Sequence, residues 1–110
     1  PEEIYGDQKL KKEFRQKRSQ LEFEARSEGY WTQEYNFADY KYSKELDTFL
    51  YKRIGSQMLR MMTSSIFIRP YASVSLREYF ATGFEAYFLG NKQLLKQLSP
   101  ILYNKIEDLI

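Results

Sequence analysis

The chain has no histidine and no cysteine. Without cysteine there are no disulfides and no thiolate metal sites. Without histidine it lacks the commonest neutral-pH general base and the commonest zinc ligand. A zinc site built from this chain alone would have to rest on carboxylates. No apolar run approaches the roughly 20 residues that span a bilayer, and no signal peptide is visible. Charge of one sign is also scarce: 17 Lys and Arg against 15 Asp and Glu leave a formal net charge of +2. That balance gives no basis for a nucleic-acid partner. The sequence opens on Pro1 rather than Met, as expected of a processed product or of a piece of a longer polypeptide.

What is abundant is aromatic. Ten Tyr, eight Phe and one Trp stand among 110 residues, a length suited to one small domain with one core. Tyrosine combines a large apolar area with a polar tip and suits surfaces half buried against a partner. The patterning is mainly α. It predicts a small helical domain of about four to five helices, with at most one short extended strand near residues 65–69.

Residues 1–29 are read as a long amphipathic N-terminal helix. Asp7 is its N-cap, Gly29 its terminator, and Leu10, Phe14, Leu21 and Ala25 its apolar stripe. The basic run from Lys9 to Arg18 reads as a solvated face, balanced by Glu22, Glu24 and Glu28. The narrow stripe suggests a helix that docks on another part of a larger assembly. Residues 30–110 form the remaining helical domain. It begins with an aromatic connector in which Trp31, Tyr35, Phe37 and Tyr40 either line a groove or interface or cap the core from outside. A second helix over 44–63 follows, capped by Ser43, with Gly55 inside it as the mark of a close helix contact. Ser75-Leu-Arg-Glu78 fits a capping box opening a third helix, whose stripe is Leu76, Phe80, Phe84 and Tyr87. A short helix over 92–98 and a last one over 100–110 complete the chain, with Ser99 and Pro100 as N-cap and first helical residue.

One constellation carries chemistry. Tyr71 lies seven residues before Glu78, and Tyr79, Phe80, Ala81 and Phe84 follow. This pattern, continued by Ser99-Pro100 and a final amphipathic helix, resembles the C-terminal part of the catalytic domain of anthrax lethal factor-like zinc metallopeptidases. The likeness covers about residues 43–110 and implies a zincin-like C-terminal subdomain. In that family a His-Glu-x-x-His helix supplies two zinc ligands and the general base. The glutamate that matches Glu78 is the third ligand, and the tyrosine that matches Tyr71 stabilises the oxyanion. The motif is absent here, and Thr82 stands where the family usually carries a second glutamate that orients the site. Glu78 is thus a metal ligand only if a missing segment supplies the histidines. Otherwise it is a capping-box residue.

The resemblance implies a non-catalytic or incomplete peptidase domain that acts as a docking or structural element of a larger protein or assembly, such as a virion or secreted complex. No cofactor is expected of this chain alone. The expected partner is a protein or the remainder of the same polypeptide. The alternative is the C-terminal fragment of an active zinc endopeptidase, whose histidine helix lies upstream or on a separate cleaved chain.

Overall fold

The longest helix, α2 (Gln8–Ser27), follows a single helical turn, α1 (Glu2–Tyr5). The computed structural model describes residues 2–110. The Asp7 carboxylate accepts from the Leu10 N–H at 3.0 Å, and Gly29, at φ +90°, turns the chain out of the helix. Leu10, Phe14, Leu21 and Ala25 are fully buried. Glu13, Lys17 and Arg18 are buried on the same helix, so the run from Lys9 to Arg18 is not uniformly a solvated face. The stripe reads as narrow in the sequence because these three charged residues belong to it. Rather than projecting as an arm, α2 packs against α4, α5 and α7, defined below.

The predicted second helix is broken in two. α3 (Lys44–Thr48), capped by the Ser43 hydroxyl, runs into a π-helical segment, Phe49–Gly55, and α4 (Ser56–Thr63) starts afresh. Gly55 sits at φ +93° and ψ 151°, a region essentially closed to residues with a Cβ. A Cβ built there would meet nothing within 4 Å. Glycine is present for the backbone turn and not for a close contact. The break also resets the helical phase: Leu59 and Met62 face the core, while Met61 is exposed.

Residues 65–69 form no strand. The chain turns on the Thr63 carbonyl, which accepts from the Ile66 and Phe67 N–H groups at 2.9 Å each, and Ile66 and Phe67 are buried. Arg69, held extended by Pro70, leads into a 3-10 turn, Pro70–Ser73. α5 (Leu76–Leu89), α6 (Lys92–Leu98) and α7 (Pro100–Leu109) follow.

The inward face of α5 is Leu76, Tyr79, Thr82, Gly83 and Ala86. Of the predicted stripe Leu76 is buried, Phe80 and Tyr87 are partly buried and Phe84 is exposed, so the inward face is rotated from the predicted one. The close helix approach is at Gly83, where a Cβ would clash with the Leu102 side chain on α7.

Ser99 precedes α7, and Pro100 takes its first position, as expected, but the Ser99 side chain makes no cap. Glu13 of α2 does that instead. Its carboxylate accepts from the Ile101 N–H at 2.8 Å and the Leu102 N–H at 3.1 Å. It also accepts from the Tyr79 phenol at 2.6 Å. Burial pushes the Tyr79 phenol up, and the adjacent carboxylate pushes it further. The radius of gyration, 13.4 Å, is that of one compact domain of this length, and no described helix is long and apolar enough to cross a membrane.

Two substitutions test this arrangement. Gly55→Ala is expected to cost about 1–3 kcal/mol through backbone strain alone, read as a lowered midpoint in urea. Glu13→Ala is expected to cost about 3–5 kcal/mol, because it strands two buried donors and a half-buried one. A loss below about 1 kcal/mol would remove Glu13 as the cap of α7.

Candidate functional site

Tyr71 lies on the 3-10 turn and Glu78 in the first turn of α5, and both line one shallow pocket of about 380 Å³. Their meeting has a local cause. Pro70 starts the tight turn, and the Ser75 hydroxyl accepts from the Glu78 N–H at 3.1 Å and fixes where α5 begins. Beneath them, Arg18 donates to the carbonyls of Ser73 and Val74. The other lining residues are Tyr5, Tyr42, Ser75 and Arg77. Sequence reasoning missed Tyr5 and Tyr42. The signal that bears on Tyr42 is Asp47, whose carboxylate accepts from its phenol.

The electrostatics of this corner are negative. The hydrogen bond to Asp47 pushes the Tyr42 phenol up to about 12. Desolvation raises Tyr71, and the charges of Asp47 and Glu78 raise it further. Both phenols are therefore neutral donors at ordinary pH. The Glu78 carboxylate forms no hydrogen bond or ion pair among the described residues, so half of the expected capping box is made.

The residues present do not fit a catalytic zinc by themselves. Among the described residues Glu78 is the one carboxylate lining the pocket, and no three acidic side chains gather as a ligand set. Zinc takes three or four protein ligands. Thr82, four residues beyond Glu78, is buried, and its hydroxyl donates to the Glu78 carbonyl at 2.8 Å and the Tyr79 carbonyl at 3.2 Å. It is bonded to its own helix and does not orient the Glu78 carboxylate.

The aromatic connector divides. Trp31 is 63% exposed and, with Tyr35, lines a wider groove of about 890 Å³. The Tyr35 ring stacks on Phe49 at 4.5 Å. Lys44, Lys52 and Arg53 of the second helical stretch line the same groove, alongside Glu34 and Glu45. Phe37 lies in the core, edge-on to Phe49. Tyr40 sits elsewhere, under the Lys11 ammonium and the Arg15 guanidinium at 4.8 and 4.6 Å from its ring centre.

A third surface went unread in the sequence. Phe80, Phe84 and Phe88 form a ladder of rings along α5, with centroids 6.0 and 4.8 Å apart. Phe84, Phe88 and Leu89 expose 41%, 51% and 85% of their surface. No protein-family model, curated protein or solved structure matches the chain.

Because Trp31 is the one tryptophan, it reports on the groove directly. Its emission is expected to be red-shifted and readily quenched by acrylamide. Trp31→Ala is expected to change stability by no more than about 0.5 kcal/mol. A blue, unquenched emission would place the ring inside the protein.

Proposed function

We propose that this chain is a non-catalytic docking domain that holds its place in a larger protein or assembly through the outer face of α5. The phenylalanine ladder carries this reading. Three rings in succession on one helix, followed by an exposed leucine, form an apolar ridge of the kind that marks a contact with another protein surface. Phe80 packs partly against the core, while Phe84 and Phe88 point away from it, because α5 turns Tyr79, Gly83 and Ala86 inward. The groove around Trp31 and Tyr35, lined by charges of both signs as well as rings, offers a second surface. The likeness of the Tyr71–Glu78 pattern to lethal factor-like metallopeptidases supports descent from such an enzyme, with the rest of that polypeptide as the natural cover for the ridge.

A second reading, the C-terminal fragment of an active zinc peptidase, is favoured by one observation: Tyr71 and Glu78 share a pocket. It requires that the ligands this chain lacks come from elsewhere in the same protein.

Two measurements on the longest natural polypeptide that carries this sequence separate the readings. For docking, Phe84→Ser with Phe88→Ser is expected to leave the folding transition near its original midpoint and to abolish assembly seen by size-exclusion chromatography. Assembly that survives the double substitution would sink the docking face. For the peptidase, zinc content should fall from about one per chain to near zero in Glu78→Gln. Equal zinc in the two proteins removes Glu78 as a ligand.

A further inference from the structure

The corner that holds Tyr71 and Glu78 has a recognition chemistry that needs no metal. Tyr5, Tyr42 and Tyr71 line the pocket together, and Tyr51 stands beside Tyr71 with 6.0 Å between ring centres. Tyr42 is 52% and Tyr71 41% exposed, so solvent reaches both rings. The face of an aromatic ring is the negative end of its quadrupole and attracts cations.

Carboxylates add to that field. Glu78 lines the pocket with its carboxylate unpaired among the described residues. Outside the lining, the Tyr42 phenol donates to Asp47, and the charge of Glu45 reaches Tyr42 as well. Among the described residues the lining carries one cation, the exposed Arg77, and the Arg18 guanidinium beneath is buried on backbone carbonyls.

The start of α5 would otherwise favour an anion, but two of its amides are already taken. The Leu76 N–H donates to the Tyr40 carbonyl at 2.8 Å, and the Glu78 N–H donates to Ser75. A planar guanidinium suits what remains. It stacks on aromatic faces and forks onto a carboxylate, which a compact ammonium does not do.

We propose that the Tyr5–Tyr42–Tyr71 pocket binds an arginine side chain of a partner polypeptide, stacked on the phenol rings and forked onto the Glu78 carboxylate. This goes beyond the docking reading and uses none of the residues of the phenylalanine ladder, so either can fail alone.

The test is a titration of the chain with Nα-acetyl-arginine amide, followed by NMR at the tyrosine ring protons. Nα-acetyl-citrulline amide is the uncharged control of the same shape. The arginine compound is expected to shift the Tyr42 and Tyr71 rings with a Kd on the order of millimolar, as fits one solvent-exposed side chain. The citrulline compound is expected to shift neither. Glu78→Gln should weaken binding about fivefold. Tyr71→Phe should retain it, because the ring face and not the hydroxyl makes the contact. Arg77→Ala should tighten it by removing the competing cation. Equal responses to arginine and citrulline would overturn the proposal. So would an unchanged Kd in Glu78→Gln, or shifts confined to other tyrosines.

Discussion

Arg18 has no access to solvent, yet its guanidinium holds two distant stretches of backbone together. It donates to the Ser73 and Val74 carbonyls at the end of the 3-10 turn. On the other side it donates to the Phe37 carbonyl at 3.0 Å and the Asp39 carbonyl at 3.2 Å in the aromatic connector. Burial pulls its pKa down to about 10, opposed by Asp39, which leaves it charged at neutral pH. A buried charge is tolerated when its donors are satisfied, and here four carbonyls take four of the five N–H groups. The connector and the turn are thereby fixed beside each other. Tyr42 lies three residues beyond Asp39, and Tyr71 two residues before Ser73, so the joint that Arg18 makes is also what brings those two rings to one pocket.

The other buried charges of α2 act in the same way, through backbone. Lys17 donates to the Ile66 and Leu98 carbonyls at 2.6 Å each, tying the turn after α4 to the end of α6. Burial lowers its pKa, and Glu13 partly restores it. Glu13 sits at the positive end of α7, where an anion is favoured by the helix dipole. Three charged side chains within six residues therefore set the positions of the connector, the turn before α5, the end of α6 and the start of α7. α2 holds the fold by hydrogen-bonding its neighbours' loops and helix ends as well as by its apolar stripe.

Much of the helical order was legible because the caps are local. Asp7, Ser43 and Ser75 each accept from an N–H three residues on, so their meaning does not depend on the rest of the chain. The buried charges were not legible, since a lysine on a solvated face and one whose ammonium reaches two carbonyls are the same letter. Gly55 shows a similar ambiguity. Glycine marks either a close approach or a backbone conformation barred to other residues, and here the first role falls to Gly83 and the second to Gly55. The face of α5 was misjudged for a related reason. Hydrophobicity alone favours Phe80 and Phe84, while packing against α7 needs a residue without a Cβ, and the Glu13 carboxylate needs a phenol. Tyr79 and Gly83 meet those needs four residues apart, one turn of helix, and their direction becomes the inward one.

That choice has a consequence for the surface. Once Tyr79, Thr82, Gly83 and Ala86 face the core, position 80 is left half-buried and positions 84 and 88 turn toward solvent, and in this chain all three are phenylalanine. A helix selected only to fold this domain would carry polar side chains there, since exposed rings contribute little to its own stability. The same reasoning applies to Glu78. Its N–H completes the cap from Ser75, while its carboxylate, in a pocket shared with three tyrosines, has no hydrogen-bonding or ionic partner among the described residues. In both places the fold accounts for the backbone and leaves the side chains unexplained. Both sets of side chains lie on α5, the helix fastened to the rest of the domain by the Glu13–Tyr79 hydrogen bond and by the approach of Gly83 to Leu102.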